Sequence, residues 1–253
     1  MKIFFAILLI ICPVAVLSAA ESNAKYVIEK ARATIGADAV LNNLVTLQMR
    51  GRIEPGESKL SSAKVSITAR KPCSQRLEVT VDDLLETTIL EGDSGCIIRS
   101  NLSEGARGSQ FRMMTEKEVQ RVAFNTRQLF GFYEADSKNG EIVIYNGIEQ
   151  RRGLRCHKLL YSYPNDITTT RYFAVNDHKL VSMVTDKGVE SVEIGELIVN
   201  GIKFPRRIEY YQKNRRLHTL ILNEVEVNKP LRKGVFMIPD IQKKDENKPI
   251  LLK

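Results

Sequence analysis

The sequence predicts a mainly β chain with two helices, an α+β protein whose strands form one large antiparallel sheet. Three observations predict it. Apolar residues alternate with polar ones through most of the chain, which is the period of a half-buried strand. Turn signals separate these runs at roughly ten-residue intervals, leaving no room for the helices of parallel βαβ units. Helical periodicity is confined to two stretches, 24–41 and 115–130.

Read in order, the chain opens on an export signal. Lys2 gives a positive start, Ile3 to Leu17 is an almost continuous apolar run, and Ser18-Ala19-Ala20 supplies the small residues of a cleavage site before Glu21. The run is short for a membrane anchor, and no second apolar segment of spanning length follows. Residues 1–20 therefore read as a cleaved signal peptide. Residues 21–240 are expected to form a single domain, and 241–253 a charged, flexible tail. In the first helix Tyr26, Val27, Ala31, Ile35 and Val40 recur with helical spacing; Ser22 or Asn23 can cap it, and Gly36 can divide it in two.

Strands begin at Leu44. Val45, Leu47 and Met49 alternate with Thr46, Gln48 and Arg50, before Gly51 weakens the pattern. Val65, Ile67 and Ala69 repeat it, as do Leu77, Val79 and Val81. Further strands are expected at 85–90 and 96–99, with turns at Pro55-Gly56, Asp82-Asp83 and Gly92-Asp93-Ser94-Gly95. Asn101 to Gln110 is rich in Gly and Ser and reads as a loop. Thr115 and Glu118 have capping-box spacing at the head of the second helix, which carries Val119, Val122, Ala123, Leu129 and Phe130 on or near one face and can stop at Gly131. The strand at 142–145 is expected to reverse at Asn146-Gly147, a strong hairpin pair. Strands at 156–163, 169–175, 180–185, 191–197, 206–212 and 219–227 complete a meander. The count is about ten or eleven strands, whose apolar faces must be covered by each other or by the helices.

Composition narrows the function. A chain of 253 residues with 43% hydrophobic content can bury a full core, and four Cys are too few for a disulfide scaffold. Cys73, Cys96 and Cys156 remain after the signal peptide, and export permits a disulfide without deciding one. The excess of 38 Lys+Arg over 30 Asp+Glu favours anionic partners; outside the cytoplasm these are lipid headgroups and membrane surfaces, not nucleic acid. Basic clusters at Arg151-Arg152-Arg155, Arg206-Arg207 and Lys213-Arg215-Arg216 read as a solvated rim or as contacts to such a surface.

Catalytic patterns are weak. Gly92-Asp93-Ser94-Gly95 suggests a serine nucleophile, but His157, His178 and His218 all lie downstream, against the trypsin-like order, and Cys96 breaks the signature. Cys156 and His157 are neighbours on a strand and point to opposite faces, which suits no shared metal. No phosphate-cradling Gly-rich loop joins a strand to a helix. The sequence implies no cofactor and no enzyme.

A set of short motifs does fall into one known order. These are Ala69-Arg70-Lys71-Pro72-Cys73-Ser74-Gln75-Arg76; Glu91-Gly92-Asp93-Ser94-Gly95-Cys96; Asn146-Gly147; Gly153-Leu154-Arg155-Cys156; Tyr172-Phe173; Asn200-Gly201-Ile202-Lys203-Phe204-Pro205; and Val227-Asn228-Lys229-Pro230-Leu231 with Phe236 and Pro239. Together they resemble the LolA-like periplasmic carriers, the outer membrane lipoprotein-sorting proteins. The chain departs from that pattern with Lys71 for an Arg, Gln75 for an aromatic and Cys96 for a Trp. The resemblance implies an incomplete antiparallel β-barrel, with helices covering an apolar cavity that holds lipoprotein acyl chains or another lipid. It implies a periplasmic monomer, with transient contact to a membrane or membrane protein. On this reading Val45, Leu47, Met49, Val65, Ile67, Leu77, Val79 and Val81 line the cavity, Val122 and Phe130 belong to a lid, and Lys71 sits at the mouth. The alternative is an envelope sensor of the same fold that binds a protein partner.

Overall fold

The computed structural model describes residues 14–56, 60–103, 108–164 and 166–240, with side chains of the first helix from Asn23 onward. The expected signal peptide falls largely, and the expected tail 241–253 wholly, outside the described residues.

Among the described residues there are three α-helices, α1 (Val14–Ile35), α2 (Asp38–Asn42) and α3 (Glu116–Gly131). There are thirteen strands: β1 (Thr46–Pro55), β2 (Ala63–Arg70), β3 (Ser74–Val81), β4 (Leu84–Glu91), β5 (Ser94–Asn101), β6 (Ser109–Met113), β7 (Ile142–Arg151), β8 (Leu154–Tyr163), β9 (Ile167–Ala174), β10 (Leu180–Thr185), β11 (Val189–Val199), β12 (Ile202–Gln212) and β13 (Arg215–Val227). They form one antiparallel sheet in the order β6-β5-β4-β3-β2-β1-β13-β12-β11-β10-β9-β8-β7. Two meanders, β1–β6 and β7–β13, thus meet at a single long-range pairing of β1 with β13, where Leu47 faces Val227 and Met49 faces Val225. The edges β6 and β7 do not pair, so the barrel is incomplete, as the sequence leads one to expect. α3 is the connection between those two edges, which obliges it to cross the opening.

The strand missing from the sequence reading is β6. Its first two residues, Ser109 and Gln110, fall in the segment that reads as a loop, yet Phe111 pairs with Ile98 and Arg112 with Ile97. Asn146-Gly147 is not the hairpin turn. It lies inside β7, where pairing with β8 slips between Tyr145 and Ile148. The left-handed backbone of Gly147, φ 81°, serves a bulge as readily as a turn. The reversal occurs at Arg152-Gly153, with φ 49° and 79°, the two positive angles of a two-residue hairpin. Gly51, likewise, does not end β1: pairing with β13 shifts beside it and the strand continues to Pro55.

The first helix does divide at Gly36. A side chain there would meet the Gly201 carbonyl oxygen at 2.8 Å, so the break is set by close packing on the β11–β12 turn. The helix runs back through Ser22 and Asn23, so neither caps it, and Tyr26 and Val40 face solvent rather than the core, at 52% and 36% exposure. α3 begins at the expected capping box: Glu118 N–H donates to Thr115 Oγ1, and Thr115 N–H donates to Glu118 Oε2. It ends one residue past the expected Gly131 stop, on Phe132 in the left-handed region.

Three apolar clusters hold the fold. One lies under the β1–β13 junction, where Leu41, Leu44, Leu47, Phe204 and Val225 pack with Phe130 of α3. A second packs Ala24, Val27 and Ala31 of α1 on Leu159, Tyr161 and Phe173. In the third, Phe236 of the C-terminal segment covers Ile89 and Cys96 of β4 and β5. Cys73, Cys96 and Cys156 are free thiols.

Candidate functional site

A cavity of about 770 Å³ lies between the sheet and α3. That volume is within the range of about 300–1,000 Å³ usual for small-molecule sites. One wall comes from the first meander. Met49, Ile67, Leu77, Thr88 and Ile97 stand directly opposite one another on β1, β2, β3, β4 and β5, forming a continuous cross-strand row, and all five line the cavity. Thr88 is its one polar member. Cross-strand neighbours on one face are roughly 4.5–5.5 Å apart, so such a row is a continuous surface.

The opposite wall comes from the second meander. Its corresponding row is Tyr210, Ser191, Met183 and Arg171, on β12, β11, β10 and β9. Glu193 stands two residues from Ser191 and also lines the cavity. Its side chain is exposed into the cavity rather than buried in the core; desolvation by the surrounding walls raises its carboxyl pKa above the usual range, and nearby Arg171 pulls it back only in part. Arg171 is 6% exposed. Its guanidinium lies 4.1 Å over the Tyr161 ring, and Nη2 donates to Gln128 Oε1 at 2.7 Å and Tyr163 Oη at 3.2 Å.

α3 closes the cavity with a mixed face. Glu118, Arg121, Val122, Asn125, Gln128 and Leu129 recur at helical spacing along it and line the space below. Polar pins hold each end. At the start, Arg112 donates two hydrogen bonds to Glu118, at 2.9 and 2.8 Å, and with the capping bonds these pull the Glu118 carboxyl down to about 2. At the far end, the buried Arg32 of α1 donates to the carbonyls of Gly131 and Phe132, to Asn42 Oδ1 and to Asp38, and it lies 3.2 Å from Glu134. One guanidinium therefore ties α1, α2 and α3 together.

Of the residues singled out in the sequence, Leu47, Met49, Ile67, Leu77 and Val122 lie on the cavity wall. The others are elsewhere. Val45 precedes β1 and is 48% exposed. Val65 is buried opposite Gly51 and Val79, and Val81 ends β3 opposite Leu84; these three are farther along their strands than the cavity reaches. Phe130 turns into the core beneath the β1–β13 junction. Lys71 is not among the residues lining the cavity: Nζ donates to the Asn42 carbonyl at 3.3 Å and lies 5.7 Å from the Phe130 ring, and burial lowers its pKa. Sequence reading missed Arg171, Glu193, Arg32 and the lid's polar face. The signal for Arg171 was a charged residue in phase with Thr169 and Phe173 inside a strand.

Two of the basic clusters are at least partly engaged at the surface. Arg151 and Arg152 both pair with Glu190 and lie over the rings of Tyr172 and Tyr211, and Arg207 pairs with Glu209. Among the described residues no group of His, Cys, Asp and Glu could hold a metal ion, and no helix is long and apolar enough to cross a membrane.

No family model matches the chain, and no curated protein matches it in sequence. Solved structures do match in fold. A LolA superfamily protein from Nitrosomonas europaea aligns at TM-score 0.55 and 10% identity, over 85% of this chain and 97% of its own. A putative outer membrane lipoprotein-sorting protein domain from Vibrio parahaemolyticus aligns at 0.53 and 7%, over 85% and 97%. A DUF1329 family protein from Desulfovibrio piger aligns at 0.54 and 8%, over 84% and 96%. The chain has the LolA-like fold: an open antiparallel barrel with a helix across it.

Proposed function

We propose that the protein is a non-catalytic periplasmic carrier that holds an acyl chain, of a lipoprotein or of another lipid, in the cavity beneath α3. The observation that carries this reading is the cross-strand row Met49–Ile67–Leu77–Thr88–Ile97 facing the partly open cavity under α3. A chain laid along it leaves water at a gain of about 0.8 kcal/mol per CH₂, enough for useful affinity from one chain. Entry requires α3 to lift. At its start the lid is pinned by the Arg112–Glu118 pair, whose side chains reach solvent, and exchanging such a contact costs little. Bound chain and closed lid then differ by a modest free energy, as loading and release require. The fold likeness to a lipoprotein-sorting domain supports the reading.

Purified protein extracted with organic solvent should yield co-purified lipid by mass spectrometry, and delipidated protein should take up a fluorescent fatty acid. Protein that is consistently empty and takes up none overturns the proposal.

A partner-binding module is the second reading, favoured by β7. It is an open edge strand, and Ile142, Ile144 and Ile148 are 57%, 47% and 49% exposed along it. An edge with apolar side chains can accept a strand from another protein. Capture of an envelope protein by lipid-free chain, abolished by Ile144→Lys without loss of lipid uptake, would favour it.

A further inference from the structure

Arg171 is a buried cavity cation with one donor left unsatisfied. Among the described residues no carboxylate lies within ion-pair distance of its guanidinium, although Glu193 is close enough for their charges to interact. Nη2 is used by Gln128 and Tyr163, whereas Nη1 is buried with no hydrogen-bond acceptor at bonding geometry. Tyr161 lies beneath the guanidinium and offers its ring face; its hydroxyl donates to the Tyr133 carbonyl. Tyr133 flanks the same cation at 5.6 Å. Aromatic faces favour a cation, but they do not replace the directed acceptor that a buried N–H requires. A buried cation without a paired anion is expensive and is retained where something completes it.

Its position suggests what does. Arg171 closes the polar wall, opposite the apolar row, and its neighbours on that wall include the hydroxyls of Thr169 and Ser191. Gln128 of α3 holds Nη2, so a ligand group can take its place at the guanidinium only if the helix lifts and Gln128 withdraws.

We propose that Arg171 is a specificity-determining residue that receives the oxyanion of a single-chain amphiphile, a carboxylate or a phosphate monoester, whose tail lies on the Met49–Ile97 row. The proposal rests on the carrier reading and adds the headgroup to it. A charge-assisted bond to guanidinium, strongest when bidentate, gives the discrimination. Glu193 opposes it by like charge, which limits the gain.

The test compares cis-parinaric acid with its methyl ester, two fluorescent probes with the same chain, bound to delipidated protein. The acid should bind about tenfold tighter or better, as expected for one hydrogen bond to a charged group. Laurate and dodecyl phosphate, as competitors, then distinguish the source: stronger displacement by one assigns the carboxylate or the phosphate, and either supports the proposal. In Arg171→Gln the ratio of acid to ester affinity should fall to about one, a readout in which any general loss of binding from the altered wall cancels. Arg171→Lys keeps the charge and should restore part of the preference, which separates a headgroup contact from a packing defect. Acid and ester bound equally by the wild-type protein would overturn the headgroup assignment and leave the carrier reading standing. Binding of neither overturns both.

Discussion

The two meanders share one cavity and furnish it differently. β1–β5 present the apolar row of Met49, Ile67, Leu77 and Ile97, with Gln75, Glu86 and Thr88 beside it, whereas β9–β12 present Arg171, Ser191, Glu193 and Tyr210 among Ile167, Leu180, Met183, Phe204 and Ile208. Both are built by the same alternation of side chains across a strand. What differs is which phase of the alternation faces inward. In β2 the inward phase includes Ile67 and Ala69; in β11 it is Ser191 and Glu193, with Val192 and Ile194 on the other face. A strand's apolar face is therefore not always its cavity face, and on the second meander charged and hydroxyl groups stand among the apolar ones.

The sharpest way to break this contrast is to charge one wall and then the other. Leu77→Asp places a carboxylate in the middle of the apolar row and should weaken binding of a fluorescent fatty acid at least about thirtyfold, or roughly 2 kcal/mol. Thr185→Asp does the same on the polar wall, where waters and hydroxyls can solvate the charge, and should cost only a few-fold. Titrations on both variants, with circular dichroism to check the fold, decide it; equal losses would mean that the walls do not differ.

Acidification should act on the second meander. His157 and His218 are pushed below the ordinary histidine value of about 6.5, chiefly by burial. His157 accepts or donates at Nδ1 with Tyr145 Oη, 3.1 Å away, and stacks on His178; His218 stacks on the cavity residue Tyr210 at 4.5 Å. A lowered folded pKa means that the unfolded chain takes up protons first. The stability from these groups is complete above about pH 6.5 and is lost as pH falls below it. Melting temperature should drop between pH 7.5 and 5.5, and drop less in His157→Gln. A profile unaffected by that substitution would remove His157 from the account.

The smallest effect belongs to Glu193. Its raised pKa has the opposite sign: the acid form is favoured in the fold, so the carboxylate costs stability once pH passes its folded value. Glu193→Gln should raise the melting temperature slightly at pH 7.5 and should leave it unchanged near pH 4. A loss of stability at pH 7.5 would show the charge to be satisfied, and the polar wall to be structural.

Much of the first meander was legible. Leu47, Met49, Ile67 and Leu77 are on the wall because apolar alternation and inward facing coincide there. Val45, Val65, Val79 and Val81 share that phase and miss the cavity, because alternation gives the face of a strand but not how far along it a cavity extends. The capping box of α3 was legible because it depends on residues three apart. β6 was not, since a short edge strand of polar composition is specified by its partner more than by itself. Lys71 was recognisable as a cation, but its use by the Asn42 carbonyl depends on where α2 lands.

By itself the sequence determined the elements: the strand period, most of the turns, the break at Gly36 and the start of α3. These rest on local steric and hydrogen-bonding preferences, which act over a few residues. Only the tertiary structure decided that β1 pairs with β13, that α3 must bridge the two free edges, and that Arg171 and Glu193 face the Met49–Ile97 row. Those facts depend on pairings between residues far apart in the chain, and the polar groups among them gain their character from burial, which no local pattern records.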